Sequence, residues 1–299
     1  MLTPHEQYPA LAKALGISAL YFKREDLHPY GSHKGRSIPK MIEQYLAKGT
    51  QHFAISSSGN AAYAAGLYVR EYNLKNKNKI KLDIFVGRNI NKEKLDSLLK
   101  ITDPNITIQK VERPLQKLFG VLKNPKVISL RQSKDDSALA GYEELARELS
   151  EIPNLQAVFI PTSSGTTAQA LGETFSKLNF KIQIHIAQTS FCHPIAEVFG
   201  NPPISRPDLD EKNETSSIAD AIVDKTAYRK DKVVEIIKKS GGFGWIATDQ
   251  EILDAQSTAL QSTGIVLSPN SALAVAGLQK SLKNGWTFDG TVACLITGR

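Results

Sequence analysis

Short apolar runs alternate with amphipathic stretches along nearly the whole chain. The runs stand at ALYFK (19–23), HFAIS (52–56), KLDIFV (81–86), ITIQKV (106–111), KVISL (126–130), QAVFIP (156–161), KIQIHIAQ (181–188), FGWIAT (243–248) and TVACLIT (291–297). Their length and β-branched content predict strands. Between them the spacing predicts helices over 34–48, 59–72, 92–100, 138–149, 166–178, 227–239, 249–262 and 270–283. Strands that are apolar on both faces belong to parallel sheets covered by helices. The strand–helix rhythm therefore predicts an α/β fold, and nine strands over this length suggest two such sheets. The polar, proline-rich stretch GNPPISRPDLDEKNETS (200–216) predicts a long surface loop.

Composition agrees with this and removes several alternatives. At 299 residues, 41% hydrophobic and 22% charged, the chain is long enough for two cores. No apolar run approaches the ~20 residues of a bilayer span, so no membrane partner is expected. The opening MLTPHEQYPA has neither the basic nor the apolar region of a secretory signal. Two cysteines, Cys192 and Cys294, cannot build a disulfide framework, and no Cys/His spacing suits zinc. A reducing, cytoplasmic setting and a metal-free site are the expectations. The net charge of +7 raises nucleic acid as a partner, but part of the excess is the local stretch NLKNKNKIKL (73–82). No arginine-rich helix or basic–aromatic interleaving accompanies it. A solvated lysine face is expected, and no nucleic-acid partner.

Candidate chemistry gathers in four small-residue stretches. In PYGSHKGRS (29–37), Gly31 and Gly35 let the backbone approach closely around Lys34, although a glycine-rich turn with a surface lysine has the same composition. In ISSSGNAAYAAG (55–66) a strand hands over to a helix through Ser57, Ser58, Gly59 and Asn60. Such a helix start suits a carboxylate, and plain N-capping would use the same residues. In FIPTSSGTTAQALG (159–172) the hydroxyls of Thr162, Ser163, Ser164, Thr166 and Thr167 surround Gly165. That loop lacks both G-x-x-x-x-G-K-[ST] and G-x-G-x-x-G, so a small phosphorylated ligand is expected rather than a nucleotide. In ACLITGR a buried strand brings Thr297 and Gly298 to the same kind of edge.

Taken in order, these stretches resemble the fold-type II pyridoxal-phosphate enzymes, the superfamily of tryptophan synthase β, cysteine synthase, serine/threonine dehydratase and threonine synthase. The corresponding motifs are Gly31-Ser32-His33-Lys34, Ser57-Ser58-Gly59-Asn60, Ser163 to Thr167, and Thr297-Gly298. The resemblance implies two three-layer domains, each a mostly parallel sheet flanked by helices, with pyridoxal 5'-phosphate in the cleft between them. Residues 1–30 with 150–299 would form the large cofactor-binding domain. Residues 31–149 would form a small domain carrying the Schiff-base lysine, Lys34, and the Ser-Gly-Asn loop. It further implies that Ser163, Ser164, Gly165, Thr166 and Thr167 hold the cofactor phosphate, Asn60 the ring's 3-oxygen and Thr297 the ring nitrogen. Ser57, Ser58, Gly59 and Asn60 would hold the carboxylate of an amino-acid substrate. A homodimer is also implied.

Within the superfamily, IAQTSFCHPI (186–195), SSIADAI (216–222), ATDQEILDA (247–255) and GIVLSPNSALAVAGL (264–278) are most similar to threonine synthase. The activity this implies is elimination and replacement on an amino acid such as O-phosphohomoserine. Serine/threonine dehydratase and a non-catalytic pyridoxal-phosphate-binding protein are the alternatives. Two departures are visible. Gly35-Arg36 replaces the usual Asp-Arg after the lysine. In DDSALAG (135–141), Ala138 stands where threonine synthases carry a phosphate-holding arginine. Arg36, Arg113 and Arg131 are candidate substitutes. His33 is expected to pack or to neighbour the phosphate rather than to move protons.

Overall fold

The computed structural model describes residues 2–200 and 216–298. The chain divides into two compact units, His28–Gly141 and Leu2–Leu27 with Tyr142–Arg299. It opens in the second unit with β1 (His5–Gln7), α1 (Pro9–Leu15) and β2 (Ala19–Arg24). The first unit follows, with α2 (Lys34–Leu46), β3 (His52–Ser56), α3 (Asn60–Lys75), β4 (Lys81–Gly87), α4 (Lys92–Leu99), β5 (Ile106–Val111), α5 (Pro114–Val121) and β6 (Val127–Ser129). The chain then returns through α6 (Glu143–Ser150), β7 (Leu155–Pro161), α7 (Thr166–Lys177), β8 (Gln183–Thr189), α8 (Lys230–Ser240), β9 (Gly244–Ala247), α9 (Asp249–Thr263), α10 (Pro269–Lys283) and β10 (Thr291–Ile296).

In the 28–141 unit, four parallel strands lie in the order β5-β4-β3-β6. The period-two alternation of β3 explains its two covers. Phe53 and Ile55 join the core formed with α2 and α3, while Ala54 faces Phe85, Leu118 and Val127 on the α5 side. In the other unit, six strands lie in the order β1-β2-β10-β7-β8-β9, all parallel except β1. One face is covered by α1, α9 and the fully apolar stretch of α10. The α10 backbone comes so close to the sheet that a Cβ on Gly277 would stand 2.9 Å from Ala187 Cβ. Both units are parallel sheets flanked by helices, as the apolar runs predict. Among the described residues, no helix is long and apolar enough to cross a membrane.

The differences from the pattern reading are local. The strand β1, with sequence HEQ, is three residues long and pairs only at the edge. Helices α1 and α5 are short, each opened by a proline in its first turn. The helix expected over 138–149 begins only at Glu143, after single turns at Asp136–Ala138 and Ala140–Tyr142. Gly141 explains the delay, because a Cβ there would overlap the Arg36 carbonyl and Ser37 Cα of α2. The change of unit accordingly falls at 141/142. The helix expected from 227 begins at Lys230. Of the loop expected over 200–216, residues 201–215 lie outside the described residues.

Candidate active site

Lys34 is delivered by a turn with little freedom. Gly31 sits at φ +75°, where only glycine is unstrained, and its N–H donates to the His28 carbonyl at 2.6 Å. Ser32 is fully buried; its carbonyl accepts the Gly35 N–H at 3.0 Å and its Oγ accepts the Lys34 N–H at 3.3 Å. A side chain on Gly35 would overlap the His28 ring, so only glycine fits behind the lysine. The turn is fastened to α3: the Tyr30 hydroxyl donates to Glu71 Oε2 at 2.6 Å, and the Tyr30 ring stands edge-on to Tyr68. Burial and the Glu71 carboxylate push the Tyr30 hydroxyl well above its ordinary pKa, so it remains a donor. Lys34 itself is half-buried at the first position of α2, and among the described residues nothing bonds to its Nζ.

The Ser57–Asn60 loop lies in the same unit, at the C-terminal end of β3. Ser57 Oγ accepts the Gly59 N–H at 3.3 Å. Helix α3 begins at Asn60 with no side-chain cap, and a Cβ on Gly59 would meet nothing within 4 Å. Plain N-capping therefore does not account for these residues. An uncapped helix start beside open space, with its positive dipole end outward, suits an anion.

In the other unit the hydroxyl-rich loop follows β7. Gly165, at φ +88°, is the N-cap of α7; a Cβ there would stand 2.7 Å from Val233 Cγ2. No side chain caps α7. Ser164 Oγ and Thr166 Oγ1 are 2.9 Å apart, and Thr166 and Thr167 are buried. Gln188 on β8 supports the loop from behind: Nε2 donates to the Thr162 and Ser163 carbonyls at 3.2 and 3.3 Å, while Oε1 accepts the Ile195 and Ala196 N–H groups at 2.9 Å. Ser163 Oγ accepts the N–H groups of Val223 and Asp224, each at 3.2 Å. Strand β10 pairs with β7, so Thr297 leaves the sheet beside this loop. The Ser271 hydroxyl holds the next residue, donating to the Gly298 carbonyl at 2.7 Å.

The candidates thus fall into two sets, each within one unit. Lys34 and Ser57–Asn60 belong to the first, and Ser163–Thr167 and Thr297 to the second. Gln188, Ser268 and Ser271 escaped sequence reasoning; the Ser-Pro pair at 268–269, a helix-start signal, was the available cue. The arginines differ in setting: Arg36 is buried, Arg131 half-buried, and Arg113 exposed at the start of α5. Ala138 is fully buried in the core with Ile38, Met41 and Ile42. Among the described residues no cluster of His, Cys, Asp and Glu could hold a metal.

The sequence profile described as "Pyridoxal-phosphate dependent enzyme" matches residues 2–298. The chain belongs to this family. It is 26% identical to the threonine synthase of Methanocaldococcus jannaschii over 99% of this chain and 74% of that protein. Among solved structures it resembles maize serine racemase, with a TM-score of 0.80 at 17% identity over 99% of this chain and 87% of the other. It also resembles threonine deaminase isoform 2 of Solanum lycopersicum, with a TM-score of 0.78 at 17% identity over 99% and 83%. The fold is that of the fold-type II pyridoxal-phosphate enzymes, and the cofactor is pyridoxal phosphate. The residues present suit it. A phosphate finds an uncapped helix start ringed by hydroxyls, and an aldehyde finds a lysine amine with no partner among the described residues.

Proposed function

We propose that this family member catalyses threonine-synthase-like elimination and replacement on an amino acid such as O-phosphohomoserine, acting as a homodimer. The observation that carries the reading is the start of α3, where Ser57, Ser58 and Gly59 precede an uncapped helix beside open space. There they bind the substrate carboxylate, and Asn60 orients the ring of the cofactor through its 3-oxygen. The 163–167 loop receives the cofactor phosphate, and Lys34 is its covalent anchor. When bound, pyridoxal phosphate supplies an electron sink for a carbanion at the substrate α-carbon. Lys34 Nζ would take the α-proton; a β-proton would then have to leave as the γ-phosphate departs, and protons would return at the γ- and α-carbons as water adds at the β-carbon. The Thr297 hydroxyl would hold the ring nitrogen as a neutral partner, which would favour chemistry at the β-carbon over transamination.

Similarity to threonine synthase along the whole chain supports the phosphorylated substrate. One observation favours dehydration of serine or threonine instead: Ala138 lies fully buried and brings no cation to a substrate phosphate. The two readings separate in one assay. Purified holoenzyme receives O-phosphohomoserine in one arm and L-threonine or L-serine in the other. Threonine with inorganic phosphate from the first arm supports the proposal. Only 2-oxo acid and ammonia from the second arm would replace it with the dehydratase reading.

A further inference from the structure

Residues 217–224 run as a strap fastened at three places. At one end the Ser217 hydroxyl bonds Asp249 Oδ1, and the Ile218 N–H donates to Asp249 Oδ2 at 3.1 Å, at the start of α9. In the middle the Ala221 N–H donates to Asn270 Oδ1 at 3.0 Å, and Asn270 Nδ2 donates to Asp220 Oδ1 at 3.1 Å, at the start of α10. At the far end the successive N–H groups of Val223 and Asp224 converge on Ser163 Oγ, each at 3.2 Å. The starts of α9 and α10 thus reach the hydroxyl-rich loop through this strap.

A serine hydroxyl has two acceptor lone pairs and one proton. Both lone pairs of Ser163 are engaged by the strap, so the proton is directed away from Val223 and Asp224. The Ser163 carbonyl is held from the other side by Gln188 Nε2 at 3.3 Å. This residue is clamped between β8 and the strap, unlike Ser164 and Thr166, whose hydroxyls bond each other.

We propose that Ser163 is a positioning residue, whose hydroxyl couples the 217–224 strap to the loop and so holds that loop in the shape that accepts the cofactor phosphate. The inference rests on the reading that 163–167 is the phosphate loop. Loosening the strap anywhere along its length therefore weakens cofactor binding, even at a residue that never touches the cofactor.

The test compares wild type with Ser163→Ala, Ser163→Thr and Asn270→Ala. Hydrogen exchange at residues 217–224 is read in the apoprotein, and pyridoxal 5'-phosphate affinity by equilibrium titration. Losing two neutral hydrogen bonds should speed exchange at Val223 and Asp224 roughly ten- to a hundredfold in Ser163→Ala, and Ser163→Thr should restore it. Both Ser163→Ala and Asn270→Ala should weaken cofactor affinity about tenfold or more, with the fold retained by circular dichroism. Weakened affinity in Ser163→Ala with unchanged exchange would make Ser163 a simple phosphate ligand and overturn the proposal. Faster exchange with unchanged affinity, in either variant, would overturn it too. The reading beneath it is tested separately by Thr166→Val/Thr167→Val. Unchanged cofactor affinity there would remove the phosphate from this loop altogether.

Discussion

Ser271 and Gly298 are joined through one oxygen atom. The Ser271 hydroxyl donates to the Gly298 carbonyl at 2.7 Å and accepts the Gly298 N–H at 3.3 Å, with Ser271 fully buried. Ser268 Oγ adds a second bond to the same carbonyl at 2.9 Å. The start of α10 thereby fixes the backbone immediately after Thr297. Ser271→Ala should cost about 1–3 kcal/mol, because it strips buried backbone groups of a partner. Urea unfolding measures this, and a loss within error would show that the pin is dispensable.

Lys34→Ala should abolish covalent cofactor attachment while leaving phosphate-driven binding in place. The turn around it is held by Gly31, Ser32 and Gly35 backbone bonds that the substitution does not touch. Borohydride treatment followed by peptide mass analysis reads the outcome. A cofactor still fixed to the chain by reduction in this variant would assign the anchor to another lysine.

Beyond the site, the 2–27 and 142–299 unit carries a buried charge. Lys23 is fully buried, bonds Glu148 and donates to the Thr3 carbonyl at 2.5 Å, while Thr3 Oγ1 donates to Glu25 Oε1 at 2.5 Å. Removing the ammonium alone leaves a carboxylate in a dry interior. Lys23→Met should cost about 3–5 kcal/mol, and Lys23→Met/Glu148→Gln should recover much of it. A double variant no more stable than the single would show that the pair is not what suffers.

Much of this was legible along the chain, and the reasons are physical. β3 is a short apolar run because both faces of its sheet are covered there, and it falls at the predicted residues, as does the edge strand β5, whose alternating half-buried and exposed residues and β-branched content mark it instead. Small polar residues at strand ends marked the loops at 57–60 and 163–167. What escaped depends on residues distant in sequence. The late start of α6 follows from Gly141 lying on α2, and the double use of Ser163 Oγ follows from amides some sixty residues later. No local pattern encodes either contact. The three polar residues of β1 carry no strand signal, and only pairing with β2 makes them one.

His185 sits on β8 between Phe159, stacked at 4.5 Å, and Trp245, whose Nε1–H donates to His185 Nδ1 at 3.2 Å. Burial lowers its pKa to about 3, so the folded protein keeps it neutral where the unfolded chain protonates it. Protons then bind preferentially to the unfolded state between about pH 6.5 and 3, and stability falls as pH drops through that window. Each pH unit inside it costs about 1.4 kcal/mol. His185→Phe removes this dependence whatever its fixed cost. Between pH 7.5 and 5.5 wild type should therefore lose about 1.4 kcal/mol more than the variant in urea unfolding. Parallel losses would show that His185 takes up a proton in the folded state.

Ala138 poses the question of substrate most directly. The resemblance to threonine synthases implies a phosphate-holding arginine here, yet Ala138 is fully buried against Ile38, Met41 and Ile42, and its carbonyl accepts the Ser37 hydroxyl at 2.7 Å. The neighbouring Gly141 leaves no space for a side chain against α2. An arginine at 138 would have to displace packed core and bring a charge with it. Ala138→Arg should therefore destabilise the protein by about 3 kcal/mol or more, without improving turnover of O-phosphohomoserine. Thermal unfolding and kcat/KM on the same preparation decide the matter. A stable variant with higher kcat/KM for the phosphorylated substrate would mean that position 138 reaches the substrate after all. Loss of stability with no gain would mean that any cation serving the substrate phosphate comes from elsewhere, with Arg36, Arg113 and Arg131 the first to replace by glutamine.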